Sequence, residues 1–373
     1  MSDRGTKRTA DMMSGESQTI TDYLESALDI LPPLSVLGVA LKPGISILTD
    51  SPNRDSFDNI YAFSEIGYGS TSCIIHKPEQ PFVVKKLHPC LSRANDLVTR
   101  AAKEAKLAME VFQVFDTYEP ESNIRINVPG NAEAIDDWET FWHRHANNLP
   151  HLLRVPTPAI QMDTIYSLPK VVGRALIQQY YPRQAGSNMD PYVVEEILNE
   201  PDNQHCLVQP CLGLDTYLRE PGDFKLRNFE LSVTDMRGIG LNTVDLSKAI
   251  GEAFALLHYH CGLSGTGVSF AFGTSRSKPF PLYIVDLYLF DFGDCWKIDR
   301  GGAADELGLD IANTMLKPNI RKFIPSPLQS PALYEIFKDA YIEHAKKALD
   351  NENNPTPHNV MKQYERRAAR EFW

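Results

Sequence analysis

The sequence has few features of a secreted or membrane protein. Its six cysteines, at positions 73, 90, 206, 211, 261 and 295 of 373 residues, form no CxxC pair and no regular framework. Such thiols are expected to stay reduced, as in an intracellular protein. The first eighteen residues lack the apolar core of a secretory signal, and prolines and a lysine interrupt the most apolar early stretch, residues 30–48. We therefore predict a cytoplasmic protein that does not cross a membrane.

Positive charge is also scarce. Lys and Arg number 37 against 48 Asp and Glu, which gives a net charge of −11. This balance argues against a protein that coats nucleic acid non-specifically, although a local basic groove is compatible with it. The 43% of hydrophobic residues and 23% of charged residues are ordinary for a globular chain, and the length suits one large or two ordinary domains.

Changes in composition and in the spacing of apolar residues along the chain predict its domain organisation. Residues 1–18 have the composition of a disordered tail, and 351–373 that of a basic tail. Between them, 19–350 are predicted to form one domain, with an N-lobe over 60–205, an acidic irregular insertion over 117–150 and a C-lobe over 206–350. Apolar periodicity predicts helices at 19–31, 97–115, 166–182, 243–261 and 332–349, and strands at 205–213, 268–272 and 282–291.

One set of residues, taken in order, is typical of a known fold. Gly67 and Gly69 lie in a turn between predicted strands, Lys85 follows on the strand VVKK, Glu104 lies in the next helix, and an apolar strand ends in Asp-Phe-Gly at 291–293. A glycine loop, a strand lysine, a helix glutamate and an Asp-Phe-Gly turn resemble the protein-kinase fold. We therefore predict an α+β, kinase-like fold with a small β-rich N-lobe and a larger helical C-lobe.

Departures from the kinase pattern argue against phosphoryl transfer. Ser72 replaces the third glycine of the loop, so the loop is interpreted as vestigial. The stretch CGLSGTGVSF at 261–270, which corresponds to the catalytic loop, contains no aspartate, asparagine or basic residue. Phosphoryl transfer without a base or a second metal ligand loses groups worth orders of magnitude in rate. We favour a kinase-like scaffold that lacks the catalytic Asp.

A narrower resemblance covers residues 60–345. Its segments recur in one order in a fungal family of unknown function labelled as zinc-finger proteins: LPKVVGRALIQQYYP, HCLVQPCLG, KLRNFELSVTDMRGIGL, LLHYHCGL, VSFAFGTS and LYLFDFGDC. Characterised members of this family are arginine-containing cyclodipeptide synthases. Members tend to carry acidic residues in the stretch that corresponds to 264–269, where this chain has Ser264, Gly267 and Ser269.

The zinc label has no support from the residues. Structural zinc takes four Cys or His ligands in paired short spacings. Cys206 and Cys211 lie on an apolar strand, and His258 and Cys261 close a helix and are expected to face the core. We predict no metal and no cofactor.

The resemblance implies that arginyl-tRNA and a second aminoacyl-tRNA are condensed into a cyclo-Arg-Xaa diketopiperazine, with downstream biosynthetic enzymes acting on the product. Aminoacyl esters are already activated, so the site has to position substrates and stabilise an oxyanion. Lys85 is a candidate for the oxyanion or a tRNA phosphate, and Asp291 and Asp294, with Glu104 behind them, for the arginine guanidinium. Ser264 or Ser269 is a candidate acyl acceptor.

Each candidate also has a structural interpretation. Lys85 and Glu104 would form an inherited ion pair, Asp291 would be a strand-end turn residue, and the serines would be solvent-facing loop residues. A tRNA surface would have to be local, formed by the tail KQYERRAAR and by basic residues of the small lobe: Lys85, Lys86, Arg93, Arg100, Lys103 and Lys106. The functional alternatives are a small-molecule phosphotransferase and a non-catalytic, pseudokinase-type interaction module.

Overall fold

Two β-sheets and the helices around them form the computed structural model. It describes residues 22–49, 63–77, 80–89, 94–182, 189–217, 219–277, 282–299, 304–349 and 356–371. The predicted disordered tail over 1–18 lies outside these residues. The mixture of sheets and helices confirms the α+β class.

The smaller sheet has five strands in the order β3-β4-β5-β8-β7, and every neighbouring pair is antiparallel. Its strands are β3 (Ser64–Tyr68), β4 (Ser72–His76), β5 (Phe82–Leu87), β7 (Glu133–Ala134) and β8 (Ala159–Asp163). Because side chains alternate along a strand, neighbouring residues of β5 face opposite sides of the sheet.

One long helix, α3 (Ala94–Thr117), packs against β7 and β8. The predicted apolar face is confirmed, because Ala101, Ala105 and Ala108 are buried. The helix extends a few residues beyond the predicted bounds, 97–115, at both ends.

The segment over 117–150 is more regular than predicted. It contains β6 (Ile126–Asn127), β7 and α4 (Trp138–His145), and Trp142 is fully buried against the smaller sheet. These elements are hard to predict from the sequence for two reasons. Acidic residues are in local excess, and the apolar positions are few and widely spaced.

The larger sheet has seven strands. Six follow the order β1-β2-β12-β11-β9-β10, and β6 pairs with β12. Its other strands are β1 (Asp22–Leu24), β2 (Ser46–Leu48), β9 (Val208–Pro210), β10 (Phe229–Leu231), β11 (Ser269–Ser277) and β12 (Leu282–Phe290). The hairpin of β11 and β12 aligns Ser269 with Phe290, so the hairpin delivers residue 291 to the end of the sheet.

Helices cover this second sheet. They are α1 (Glu25–Asp29), α2 (Pro33–Ala40), α5 (Lys170–Tyr180), α6 (Pro191–Leu198), α7 (Val233–Gly238), α8 (Thr243–Ala255), α9 (Ala304–Met315), α10 (Pro318–Arg321), α11 (Pro331–Ala348) and α12 (Thr356–Glu371). A π-helical turn, Leu256–His260, extends α8 as the sequence predicts, and His258 and Cys261 are buried as expected.

Two stretches near the ends of the chain differ from their predicted structure. The described part of the stretch predicted as a helix over 19–31 contains the strand β1 and only a short helix, α1, because β1 pairs in parallel with β2. The stretch predicted as a basic tail contains α12, whose Val360, Met361 and Tyr364 are buried against other helices. Within the described residues, no helix combines the length and apolarity that a bilayer crossing requires.

Candidate functional site

Lys85, Glu104 and Asp291 meet between the two sheets. Lys85 Nζ lies 2.5 Å from Glu104 Oε1 and 2.6 Å from Asp291 Oδ1. β5 provides the lysine, α3 the glutamate, and the residue after β12 the aspartate. The Lys85 and Glu104 side chains are 7% and 4% exposed, whereas that of Asp291 is 49% exposed. The predicted ion pair is present, and Asp291 is its solvent-accessible member.

The backbone at this turn is shaped for close approach. Asp291 has a φ of 72°, a left-handed conformation that aspartate tolerates better than most residues. A Cβ at Gly293 would lie 2.6 Å from Glu104 Oε2, so a side chain there would displace the glutamate. The Asp-Phe-Gly sequence therefore presents the Asp291 carboxylate and leaves room for Glu104.

The charges in this cluster affect one another. Burial alone would lower the pKa of Lys85, but the Asp291 and Glu104 carboxylates outweigh burial and raise it above the usual range. Burial raises the pKa of Glu104, and Lys85 opposes that shift only in part. Glu104 Oε2 has no hydrogen-bond partner among the described residues. The site is therefore a buried lysine whose charged form is stabilised by the two carboxylates that it contacts.

Asp294 has a partner within the chain. Arg100 Nη2 lies 3.1 Å from Asp294 Oδ1, and the two side chains are 27% and 58% exposed. Arg100 is four residues before Glu104, so both lie on the same face of α3. This spacing is visible in the sequence. Lys103 Nζ donates to Cys295 O at 3.0 Å, and Lys297 Nζ lies 2.5 Å from Glu110 Oε2. The segment 294–297 is therefore held along α3.

The two candidate serines differ. Ser264 is 1% exposed, and its Oγ accepts from the amides of Thr266 and Trp296, each at 3.3 Å. The interpretation of Ser264 as a solvent-facing residue is wrong, because these contacts bury it inside the loop. Ser269 is half-buried at the start of β11, opposite Phe290, the residue before Asp291. The register thus brings Ser269, more than Ser264, to the Asp291 end of the sheet.

The glycine loop is a short hairpin. Gly67 lies within β3 opposite Ile74, and the amide of Gly69 donates to Ser72 O at 2.9 Å. Ser72 is buried at the start of β4. Only three residues separate the two strands, and the Gly69 amide is used in strand pairing. This hairpin offers little of the amide cradle that a phosphate needs.

Part of the predicted tRNA surface is wrong. Lys85 and Lys86 are buried, so neither side chain is available to a macromolecule. Lys86 Nζ donates to Val155 O and, at 2.9 Å, to Thr157 Oγ1, and it lies 4.3 Å from the Trp142 ring centre. Arg93 lies outside the described residues. The remaining exposed cations are Lys103 and Lys106 on α3, and Lys362, Arg366 and Arg370 on α12.

The cysteines of the described residues are buried thiols, none joined in a disulfide. Burial raises the pKa of Cys73 to about 11 and those of Cys206 and Cys295 to about 12. Among the residues that the structure describes, no three His, Cys, Asp or Glu side chains are grouped so as to hold a metal ion.

Comparisons with known proteins identify no family. No family model matches the chain, and no curated protein matches it. A solved structure titled "Structure of the microcompartment-associated aminopropanol kinase" aligns with 83% of this chain and 89% of its own length, at 11% identity and a TM-score of 0.20. A TM-score this low does not demonstrate a shared fold.

Proposed function

We propose that the chain is a kinase-like, two-lobe protein that lacks the kinase catalytic Asp. The smaller sheet and α3 would form the N-lobe, and the larger sheet with its helices the C-lobe. The contact of Lys85 with Glu104 and Asp291 supports this layout, because it joins the smaller sheet, α3 and the end of β12 at one point. The absence of an acid from the loop at 261–270 distinguishes the site from that of a kinase.

The proposed reaction, which the family resemblance of residues 60–345 implies, is the condensation of arginyl-tRNA with a second aminoacyl-tRNA into a cyclo-Arg-Xaa diketopiperazine. Each α-amine attacks the ester carbonyl of the other residue. Two C–N bonds form and two ester C–O bonds break, and the proton from each amine goes to a departing ribose oxygen. The esters supply the driving force, so neither ATP nor a metal-bound phosphate is required.

The observation that carries this proposal is the buried Lys85 Nζ, 2.6 Å from the half-exposed Asp291, with no general base in the neighbouring loop. A buried ammonium stabilises an oxyanion where charge develops in acyl transfer. Asp291 and Asp294 are acids that would accept a guanidinium, and Arg100 would have to release Asp294 for a substrate cation. Ser269 is the better-placed acyl acceptor of the two candidate serines.

Expression in a host with endogenous aminoacyl-tRNAs, followed by mass spectrometry, tests the proposal. Wild-type protein should yield cyclo-Arg-Xaa products, and Asp291→Asn should abolish them. Asp294→Asn should lower the yield about tenfold or more, because a charge-assisted hydrogen bond contributes about 1.5–3 kcal/mol. Asp339→Asn, on an exposed position of α11, is the matched control and should leave the yield unchanged. Wild-type yield from soluble Asp291→Asn would place the site elsewhere.

A phosphotransferase remains the main alternative, because kinases use the same Lys, Glu and Asp types. We expect no thermal stabilisation by micromolar Mg-ATP, since a ligand of the native state must raise the melting temperature. ATP turnover that is lost in Asp291→Asn would overturn the acyl-transfer proposal. A chain that neither turns over ATP nor makes product would be an interaction module.

A further inference from the structure

A second polar cluster lies away from this site, where the end of α3 meets α8 and α11. Tyr118 follows α3, Glu252 lies on α8 and His344 on α11. Glu252 and His344 are each 2% exposed. A cavity of about 10 Å³ adjoins the cluster, lined by Tyr118 and Glu252 together with Phe115, Ile124, Arg125 and Leu256.

Three atoms of the cluster lack a hydrogen-bond partner among the described residues: Tyr118 Oη, Glu252 Oε1 and His344 Nε2. The hydrogen bonds of the neighbouring atoms show whether the unpartnered atoms of Glu252 and His344 are donors or acceptors. His344 Nδ1 lies 2.8 Å from Ala340 O, and a carbonyl only accepts, so Nδ1 carries a hydrogen; in the tautomer that carries this hydrogen alone, Nε2 is an acceptor. Glu252 Oε2 accepts from Ser122 Oγ at 3.2 Å, which leaves Oε1 as a second acceptor.

The distance between the two acceptors, His344 Nε2 and Glu252 Oε1, allows one atom to bridge them. His344 Nε2 lies 4.0 Å from Glu252 Oε1, too far for a direct hydrogen bond. An atom about 2.8 Å from each would span that gap with a near-right angle between its bonds. Tyr118 Oη adds a third partner that either donates or accepts. Buried polar atoms left unbonded are costly, so the cluster requires a guest with at least two hydrogens to donate.

We propose that this cavity binds one small hydrogen-bond donor with a single non-hydrogen atom, either water or ammonium. A water would donate to Glu252 and His344 and accept from Tyr118, the three bonds typical of buried water. A volume of about 10 Å³ holds about one such molecule. Burial raises the pKa of Glu252, which is consistent with a carboxylate short of donors.

Charged and aromatic side chains flank the site. Glu121 forms a salt bridge with Lys347, and Glu121 Oε1 lies 3.7 Å from His344 Nε2. The Tyr118 and His344 rings make an edge contact at 6.0 Å between their centres. The guest would therefore connect the end of α3 to α8 and α11 from inside. This inference does not depend on the proposed reaction.

A crystal structure of the wild-type protein at about 1.5 Å resolution tests the site directly. We expect a density peak within hydrogen-bonding distance of Glu252 Oε1 and His344 Nε2. An empty cavity, or a direct bond between the two residues, overturns the proposal. If the peak is present, melting temperatures in ammonium chloride and sodium chloride at equal concentration identify the guest. A higher value in ammonium that disappears in Glu252→Gln indicates ammonium, and equal values indicate water.

A pair of variants tests the third partner. Tyr118→Phe removes one bond to the guest and should raise the unfolding equilibrium constant about 2- to 10-fold, the typical effect of one hydrogen bond. Tyr192→Phe makes the same change at a tyrosine that is 86% exposed and should change the constant less than 2-fold. Equal effects of the two variants would contradict a bond from Tyr118 to the guest.

Discussion

Lys85 and Lys86 show how strongly surroundings distinguish two adjacent, identical residues. Both are buried, and they face opposite sides of β5. Lys85 contacts two carboxylates, and its pKa is raised. Lys86 contacts a carbonyl, a hydroxyl and a Trp ring, and burial lowers its pKa to about 8. The first is suited to stabilising negative charge, whereas the second costs stability while it is charged.

Replacing Lys85 by methionine tests whether its ion pair serves structure or chemistry. The variant leaves the Glu104 and Asp291 carboxylates without their cation. A broken buried pair is typically costly, and because Asp291 is half-exposed we expect a loss of ~3 kcal/mol at most from the free energy of unfolding. Product should disappear even where the variant remains folded. Urea unfolding and product yield measure the two effects, and normal stability with full yield would show that the pair matters to neither.

The pH dependence of stability tests the environment of Lys86. Its pKa is lower in the folded chain than the ordinary 10.5, so the folded state resists protonation. The stabilisation is therefore present above pH 10.5 and is lost as the pH falls through about 8, with a slope of at most about 1.4 kcal/mol per pH unit. Lys86→Met should remove this contribution. Urea unfolding at pH 7.5 and pH 10 measures it, and an identical pH dependence in both proteins would be inconsistent with a lowered pKa.

At the scale of elements, the loop at 261–270 is fixed to the segment that follows β12. Ser264 N donates to Trp296 O at 3.0 Å, and Cys295 Sγ donates to Thr266 O at 3.3 Å. These contacts hold the loop beside residues 295 and 296 although a long hairpin separates the two segments. The loop therefore supports the site through its backbone and its small side chains.

Ser264→Ala distinguishes a positioning role from a covalent one. The variant loses a buried hydroxyl with three contacts, so we expect a loss of about 1–3 kcal/mol in stability and a lowered, but measurable, yield of product. Ser269→Ala should abolish product if Ser269 carries an acyl group, and intact-protein mass spectrometry of the wild type should then detect the adduct. Complete loss of product in a stably folded Ser264→Ala, with no effect in Ser269→Ala, would reverse these assignments.

Elements with strong local patterns were predictable. α8 and α11 have continuous apolar faces, and both agree with the sequence to within a few residues apart from the π-helical turn. α12 was predictable in principle, because Val360, Met361, Tyr364 and Ala368 have helical spacing and form one buried stripe. The many charged residues between them make this stripe easy to miss. β1 was not predictable, because its local sequence favours a helix and only its pairing with the distant β2 makes it a strand.

For the whole molecule, the order of residue types predicted the core of the site, and three-dimensional contacts decided the rest. Lys85, Glu104 and Asp291 meet as their order along the chain indicates. The burial of Ser264 and Lys86 depends on segments far away in sequence, Trp296 in one case and Trp142 in the other. The net charge of −11 leaves any contact with tRNA to a local group of exposed cations, and Lys362, Arg366 and Arg370 form one such stripe along α12.

The most direct test of the proposed chemistry uses purified protein with arginyl-tRNA and a mixture of other aminoacyl-tRNAs, without ATP. Labelled arginine should appear in a cyclo-Arg-Xaa product in the presence of the wild type and of Asp339→Asn, a control at an exposed position on α11. Asp291→Asn at the same concentration of folded protein should give none. Absence of product from the wild type, or equal product from Asp291→Asn, would contradict an acyl-transfer site built on Lys85, Glu104 and Asp291.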